Sequence, residues 1–192
     1  MNKNIILIGG GGHCASCIDV IEQEGIYHIA GIVDKNYDGK SLGYPSLGDD
    51  SNLKNLKKKF DFALVTIGQI ENAKKRIKLF DLIKQIGFKT PNIISPRAYI
   101  SKNSNLNEGI IVMHGALINS KASVGDNCII NTNALIEHHA VVESNCHIST
   151  GAILNGSCLI KEGTFVGSNA TIVDSAVTKK NDFINASSLF KK

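Results

Sequence analysis

The sequence predicts a small α/β domain followed by a parallel β-helix, and two observations lead to this fold class. The first is a succession of strand, glycine turn and helix near the start of the chain, with further strand and helix segments up to about residue 90. The second is a strict six-residue repeat of aliphatic residues that begins near residue 98. We therefore expect two domains, residues 1–90 and 91–192.

Length and composition fit a folded chain of 192 residues that is 43% hydrophobic and 20% charged. Such a chain is too apolar to be disordered and long enough for two small cores. Its 21 Lys and Arg residues exceed its 17 Asp and Glu residues, giving a net charge of +4. The lysines gather within residues 54–59 and 74–78 without aromatic neighbours, so we expect solvated helix faces and no nucleic-acid partner.

No apolar run approaches the roughly 20 residues of a membrane helix, so we expect no membrane span and a cytoplasmic protein. An odd number of scattered cysteines fits reduced thiols better than a disulfide framework. Cys14 and Cys17 have no second pair nearby that would complete a zinc site, and a redox role for them is the remaining alternative. The cysteines are Cys14, Cys17, Cys128, Cys146 and Cys158.

In the N-terminal part, residues 4–8, 29–33 and 62–67 have the apolar runs of buried strands. An amphipathic helix is expected directly after the first strand and its four glycines, and a long basic-faced helix is expected over residues 70–86. Alternating strands and helices predict a small parallel sheet. Residues 87–97, which include two prolines, are expected to link the two domains.

The glycine turn between the first strand and helix predicts a diphosphate site, since backbone N–H groups can approach a phosphate at the positive end of a helix. Asp34, at the end of the next strand, is placed to hold a ribose or a base. Gly9 and Gly11 fit the dinucleotide fingerprint, but Cys14 stands where its third glycine belongs, so an NAD site is the weaker interpretation. A tight turn that binds nothing is a further alternative.

The C-terminal part repeats an aliphatic residue at spacing six over thirteen consecutive positions. Helices return at 3.6 residues and strands at 2, so this spacing indicates a short strand and a turn that form one face of a coil. Three faces give a turn of about 18 residues, and stacked turns bury a continuous core. The positions are Ile100, Leu106, Val112, Ile118, Val124, Ile130, Ile136, Val142, Ile148, Leu154, Ile160, Val166 and Ile172.

Two adjacent histidines, His138 and His139, follow an inward-facing position and are expected at an outward-facing corner of the coil. A neutral imidazole there can accept the proton of an attacking amine or hydroxyl. A metal site that includes His147, or a plain surface corner, are the alternatives; adjacent side chains at a β-corner are expected to diverge, so we expect no metal. The 18-residue period stacks one column of corner residues: Ser120, His138, Gly156 and Asp174.

Taken together, these features resemble the hexapeptide-repeat sugar O/N-acyltransferases, a family that includes UDP-N-acetylbacillosamine N-acetyltransferases and sialic-acid O-acetyltransferases. The resemblance covers nearly the whole chain. It implies a Rossmann-like domain that binds a nucleotide-sugar, a left-handed β-helix that binds acetyl-CoA, and a homotrimer with active sites between adjacent coils. Its carriers are Ile8-Gly9-Gly10-Gly11-Gly12-His13, Ile32-Val33-Asp34, Thr66-Ile67-Gly68, Ser95-Pro96-Arg97-Ala98-Tyr99-Ile100, Asn131-Thr132 and Ile136-Glu137-His138.

The resemblance implies three sets of site residues. The substrate-binding set, for the diphosphate, the sugar and the uridine, is Gly11, Gly12, His13, Asp34, Lys35 and Gly68. The catalytic set, with His138 as general base, is His138, Glu137, His139 and Asn131. The acetyl-CoA-binding set is His147, Gly151, Ser168 and Ala186.

Within these sets, His147 would meet the thioester, Ser168 would line the pantetheine groove, and we expect a backbone N–H near Gly151 to stabilise the oxyanion. The chain departs from the family at His139, where an acidic residue is usual, and at Lys35, where the bacillosamine enzyme has a second aspartate. It also stops before the last rung and tail that cover CoA in the family.

The function expected from these observations is acetyl-CoA-dependent N-acetylation of a UDP-linked 4-amino-4,6-dideoxy sugar in bacterial surface glycan synthesis. O-acetylation of a sialic-acid-like sugar is one alternative. A trimeric protein that binds a nucleotide-sugar without catalysis is another.

Overall fold

In the computed structural model, which describes residues 3–69 and 71–191, the chain divides into two units. The first unit comprises Met1–Gly68 and Lys75–Pro91, and the second comprises Gln69–Lys74 and Asn92–Lys192. The short segment Gln69–Lys74 therefore belongs to the unit of the C-terminal residues, although its neighbours in sequence do not.

A three-stranded parallel sheet forms the centre of the first unit, with strand order β2-β1-β3. The last four residues of the central strand are buried, because it has a neighbour on each edge and its alternating side chains face apolar groups on both sides. The strands are β1 (Lys3–Ile8), β2 (Tyr27–Val33) and β3 (Phe62–Val65). The helices are α1 (Gly12–Glu24), α2 (Leu53–Lys57) and α3 (Lys74–Ile86), and a 3₁₀ turn covers Asp50–Asn52.

Helix α3 begins at Lys74, four residues later than the sequence predicts. The Asn72 side chain accepts a hydrogen bond from the Lys74 N–H at 3.1 Å and so caps the helix at that point. Residue 70, where the predicted helix begins, lies outside the described residues. Helix α2 contains Lys54 and Lys57 and so agrees with the helix face expected for the lysines of residues 54–59; its bounds are not predicted, since five residues carry too little hydrophobic periodicity.

Among the described residues of the second unit, sixteen two-residue strands form three parallel sheets in which paired residues lie 18 positions apart, as Ile129 pairs with Ile111 and His147. The predicted left-handed parallel β-helix after an α/β region is confirmed. The strands are β4 (Ile93–Ile94), β5 (Tyr99–Ile100), β6 (Asn105–Leu106), β7 (Ile111–Val112), β8 (Leu117–Ile118), β9 (Ser123–Val124), β10 (Ile129–Ile130), β11 (Leu135–Ile136), β12 (Val141–Val142), β13 (His147–Ile148), β14 (Ile153–Leu154), β15 (Leu159–Ile160), β16 (Phe165–Val166), β17 (Thr171–Ile172), β18 (Phe183–Ile184) and β19 (Leu189–Phe190).

Every sixth residue from Gly109 to Ser187 has a left-handed backbone, with φ between 54° and 72°. Asn and Gly tolerate this conformation best, and they hold most of these corners. His139 is one of the exceptions, with φ of 60°. The predicted corner residue Asn103 does not have a positive φ, so the regular corner pattern begins one six-residue repeat later, at Gly109.

The inward aliphatic column forms the core of the β-helix, together with the small residues two positions before it. The core extends beyond the thirteen positions of the sequence repeat, because Ile184 and Phe190 continue the column after buried Thr178 interrupts it. Ile110, the one large residue in the small column, is fully buried directly before β7, where the second turn begins. Stacked turns thus share one continuous apolar interior.

All five cysteines are buried, and none of them is joined in a disulfide. Burial raises the pKa of Cys14 to about 11 and raises that of Cys17 well above its usual value. Both thiols therefore stay protonated and unreactive at neutral pH, which argues against the redox alternative. Across residues 3–69 and 71–191, none of the helices has the length and apolar character needed to traverse a bilayer.

The inward and outward residues of β14 provide a direct test of this core. Leu154 is fully buried between Ile136 and Ile172, so Leu154→Ala should lower the free energy of unfolding by about 2–5 kcal/mol. Ile153→Ala, on the outward half-buried face of the same strand, should cost clearly less. Urea unfolding followed by circular dichroism measures both, and equal losses would contradict the assignment of the two faces.

Candidate functional site

The glycine turn after β1 combines glycines that the fold requires with glycines that it does not. Gly9 has φ of 108°, and an added Cβ would overlap the Ile67 side chain, so only glycine fits there. The turn is anchored by the Thr66 hydroxyl, which donates to the Gly9 carbonyl at 2.6 Å. At Gly11 and Gly12 an added Cβ would meet nothing within 4 Å, and neither residue has a positive φ. The space in front of these two residues is therefore open.

Gly11 is also the N-cap of α1, and its lack of a side chain leaves the first N–H groups of the helix without a side-chain cap. Uncapped N–H groups and the helix dipole together favour an anion. Open space and exposed donors thus coincide at Gly11 and Gly12, as the predicted diphosphate site needs.

Asp34, which directly follows β2, is bound to this turn. Its Oδ2 accepts from the Gly10 N–H at 3.0 Å and its Oδ1 accepts from the Asn36 N–H at 2.9 Å. The Gly10 N–H is the main reason that the pKa of Asp34 lies below its usual value, so the carboxylate is ionised at neutral pH.

Gly9 of the turn and Asp34 border a cleft of about 440 Å³ in the first unit, whereas the predicted substrate-binding residues Gly11, Gly12, His13 and Gly68 do not line it. Lys35 and Lys75 contribute positive charge to its wall, and Asp49 and Asp50 contribute negative charge. A cleft of this size with a mixed polar and apolar lining can hold part of a nucleotide. Its lining residues are Ile8, Gly9, Val33, Asp34, Lys35, Asn36, Asp49, Asp50, Ser51, Ile67, Lys75 and Leu79.

His13, the second residue of α1, is a neutral imidazole. Its pKa is lowered to about 4, chiefly by burial and to a smaller extent by the positive charge of Arg76. Gly68 lies against it, because a Cβ on Gly68 would stand 3.4 Å from the His13 Cβ. The structure thus brings His13 and Gly68 together, and any diphosphate at this turn would meet a hydrogen-bonding imidazole rather than an imidazolium.

In the second unit, His138 and His139 lie exposed at the corner between β11 and β12. Their rings do not diverge as the sequence predicts, since the two Nδ1 atoms are 3.2 Å apart. The left-handed backbone of His139 turns its side chain back toward His138. Glu137 fixes the same corner, because its Oε2 accepts from the His138 N–H at 3.1 Å and from the Asn119 side chain at 2.9 Å.

The predicted column of corner residues is present. The His139 N–H donates to the Ser120 carbonyl, the Ser157 N–H to the His138 carbonyl and the Ser175 N–H to the Gly156 carbonyl. A Cβ on Gly156 would lie 2.6 Å from Cε1 and 3.0 Å from Nε2 of His138, and 2.8 Å from Oδ2 of Asp174. The imidazole and the carboxylate therefore converge on the space that this glycine leaves.

Asn131 and His147 lie at a different place from His138. The His147 Nδ1 is 2.8 Å from the carbonyl of Gln69, which can only accept, so Nδ1 carries the proton. Its Nε2 is then an acceptor for the Asn131 amide at 3.2 Å, and its ring packs edge-on against Phe165. Both nitrogens of this buried ring are thus engaged, and Asn131 supports His147 rather than His138.

On successive turns of the coil, the corner that precedes β14, β17 and β19 holds Gly151, Ser168 and Ala186. These strands belong to the same sheet as β11, and His138 lies at the corner on the other side of that sheet. The Gly151 N–H donates to the Thr132 carbonyl at 2.9 Å, so an oxyanion role for it would require that bond to break. The Ser168 hydroxyl pairs with the Ser149 hydroxyl at 3.0 Å, and Ala186 is exposed.

Asn119 and Asp174, two residues of the His138 corner, have no role assigned from the sequence, whereas Gly156 is expected to leave space directly above His138. The 18-residue period predicts that they stack with Glu137 and His138, but it does not tell which side-chain atoms meet. In the part of the chain that the structure describes, no group of three His, Cys, Asp or Glu side chains is arranged to hold a metal ion.

Comparisons with known proteins agree with the sequence-based resemblance. Residues 4–83 match the family described as the PglD N-terminal domain. No curated protein sequence matches the chain. The acetyltransferase domain of PglB from Neisseria gonorrhoeae shares the fold with a TM-score of 0.92 and 26% identity, over 99% of this chain and 92% of that one. The same domain in complex with acetyl coenzyme A gives a TM-score of 0.90.

A second similar structure is a histidine variant of perosamine N-acetyltransferase from Caulobacter crescentus, in complex with CoA and GDP-perosamine. It matches with a TM-score of 0.71 and 29% identity, over 97% of this chain and 92% of that one. The resemblance to hexapeptide-repeat sugar acyltransferases is therefore confirmed.

The buried neutral state of His13 predicts a pH dependence of stability. Between its folded pKa of about 4 and its usual value of 6.5, the unfolded chain binds a proton that the folded chain does not. Stability should therefore fall as the pH drops from about 6.5 to about 4. Unfolding midpoints at pH 7 and pH 5 should differ less in His13→Gln than in the wild type. His28→Gln, at an exposed position, should keep the wild-type difference, and an unchanged slope in His13→Gln would contradict the prediction.

Proposed function

We propose that this chain, an acyltransferase that resembles the hexapeptide-repeat sugar acetyltransferases, transfers the acetyl group of acetyl-CoA to an amino group of a nucleotide-linked sugar. The observation that carries the proposal is that one chain joins an open glycine turn at a helix N-terminus to a β-helix with an exposed imidazole. The similar structures hold acetyl coenzyme A or GDP-perosamine. The preferred substrate is a UDP-linked 4-amino-4,6-dideoxy sugar, acetylated in the cytoplasm for bacterial surface glycan synthesis.

On this proposal the nucleotide-sugar occupies the cleft of the first unit. Its diphosphate accepts from the N–H groups at Gly11 and Gly12 and from the neutral His13, and Asp34 and Gly68 border the uridine. Lys35 and Lys75 both stand in the wall of this cleft, together with the ionised carboxylate of Asp34 and the side chains of Asp49 and Asp50.

His138 acts as the general base. When its Nδ1–H donates to Nδ1 of His139, the His138 Nε2 has a free lone pair directed away from the pair. The acceptor nitrogen attacks the thioester carbon, and His138 takes the proton that this nitrogen loses. The tetrahedral intermediate then releases the CoA sulfur, which takes the proton from His138. In this arrangement a neutral His139 accepts a hydrogen bond from the imidazolium, as the usual acidic neighbour would.

We further propose a homotrimer in which a second copy completes the site. Within one chain, His138 lies at the corner that follows the sheet of β11, β14, β17 and β19. The predicted acetyl-CoA residues Ser168 and Ala186 lie at the corner that precedes this sheet. If His138 is the base and acetyl-CoA is held at the other corner, the two can meet only between copies. The acetyl-CoA corner of a neighbouring copy must then lie against the His138 corner. His147 near the thioester remains a prediction, since its two nitrogens are engaged within the chain.

Release of free CoA thiol is the direct test of this function. The purified protein is mixed with acetyl-CoA and a panel of UDP-, GDP- and CMP-linked sugars that carry a free amine or hydroxyl. We expect turnover with a 4-amino sugar and a loss of about 100- to 10,000-fold in His138→Ala, with the oligomer intact by sedimentation. His28→Ala, at an exposed histidine of the first unit, should keep full activity. Binding of a nucleotide-sugar without turnover anywhere in the panel would instead favour the non-catalytic alternative.

The glycine turn offers a separate test of substrate binding. Gly11→Ala should fold normally, because its Cβ meets no other atom and its φ is allowed for alanine, yet the added methyl group should block the diphosphate. We expect the Kd of the nucleotide-sugar to rise about 10-fold or more, with an unchanged KM for acetyl-CoA. The contrasting variant Gly9→Ala should lose thermal stability. Unchanged affinity in Gly11→Ala would place the diphosphate elsewhere.

A further inference from the structure

The space beside Gly156 separates two side chains that arrive from different turns of the β-helix. His138 reaches it from one turn and Asp174 from the turn two steps further along the chain. Gly156 has no positive φ, so its backbone does not require glycine. What the absent Cβ provides is room, since that atom would press on the imidazole and on the carboxylate at once.

The atoms that border this space are both hydrogen-bond acceptors when His138 is ready to act as a base. With Nδ1 turned toward His139, the Cε1–Nε2 edge of the His138 ring borders the space, and Nε2 is an acceptor in the tautomer that carries its proton on Nδ1. Asp174 turns its Oδ2 to the same space, while its Oδ1 accepts from the Ser175 hydroxyl at 2.7 Å. In that tautomer neither acceptor carries a proton to share, so no direct hydrogen bond can join the two groups.

Two acceptors that face a common space need a group with at least two hydrogens to donate. A primary amine or its ammonium form can donate to both, whereas a hydroxyl can satisfy only one of them. The remaining charges at this corner do not compete, since the Glu137 Oε2 is held by the Asn119 amide and by the His138 N–H. A hydroxyl in this space would leave one of the two acceptors without a donor, and that unpaired acceptor disfavours binding of the hydroxyl.

We propose that Asp174 recognises the amine of the acceptor sugar and makes this site selective for an amine over a hydroxyl. The inference rests on the proposed function, which it deepens by assigning the choice of acceptor group to one carboxylate. The ammonium group binds between Asp174 Oδ2 and His138 Nε2 and releases one proton to solvent. The resulting amine keeps its hydrogen bond to Asp174 while it attacks the thioester carbon, and His138 takes the second proton.

The test compares a UDP-linked 4-amino-4,6-dideoxy sugar with the same nucleotide-sugar bearing a 4-hydroxyl. Asp174→Asn keeps the size of the side chain and its oxygen for Ser175, but it removes the charge. Calorimetry should show that the preference for the amine over the hydroxyl, as a ratio of Kd values, falls about 10- to 100-fold in this variant. Its KM for acetyl-CoA and its melting temperature should stay at the wild-type values.

Two further variants separate recognition from general damage. Asp182→Asn removes a carboxylate from another corner of the coil, one that accepts from the Lys179 N–H, and it should leave the ratio unchanged. Gly156→Ala should fold, since the crowded atoms belong to exposed side-chain ends, and it should lower both the ratio and kcat by displacing Asp174 and His138.

The failures of the two proposals are distinguishable. Turnover in the wild type with a Kd ratio that Asp174→Asn does not change would overturn the role of Asp174 and leave the proposed function in place. Equal weakening of both sugars in Asp174→Asn would also overturn it, since this result indicates a structural role. No acetyl transfer by the wild type, together with a ratio that Asp174→Asn reduces, would overturn the proposed function alone.

Discussion

The in-register stacking of 18-residue turns is the constraint on which the geometry of the second unit depends. Nearly every turn buries three aliphatic residues, with Thr178 in one of these inward positions, and the paired strands fix the same register over successive turns. A shift by one residue would expose the whole aliphatic column, so the register is strongly specified. Residues 18 positions apart must therefore meet, and this brings Gly156 to His138.

The left-handed corners turn this regular scaffold into a site. A corner with φ near 60° turns the chain from one face of the coil to the next, and its occupants are mostly Asn, Gly and Ser. His139 occupies such a corner, and its ring is carried back to within hydrogen-bonding distance of His138. Glu137 meanwhile binds the backbone of the corner from the other side. A pair of neighbouring imidazoles results from backbone geometry, not from long-range packing.

The sequence predicted which residues would share a corner, because spacing alone decides that in a β-helix. It did not predict the hydrogen bond from Asn119 to Glu137, or that Asp174 faces His138. Nor did it predict that both ring nitrogens of His147 form hydrogen bonds, one with Asn131 and one with Gln69. These contacts depend on side-chain rotamers and on the assignment of Gln69–Lys74 to the second unit. The six-residue periodicity encodes neither. In the first unit, the cap at Asn72 and the burial of His13 likewise arise from contacts between distant segments.

This chain has His139 directly after the proposed base, where the family that it resembles usually has an acidic residue. The negative charge near His138 must therefore come from another residue. A neutral imidazole can accept the Nδ1–H of His138 but adds no charge to balance an imidazolium. Asp174 supplies a carboxylate two turns further along, where it faces the other nitrogen of the same ring. A carboxylate on this side of the ring lies beside the proposed position of the acceptor group instead of behind the base. On the proposed role of Asp174, this charge binds the amine of the acceptor and does not support the Nδ1 side of His138.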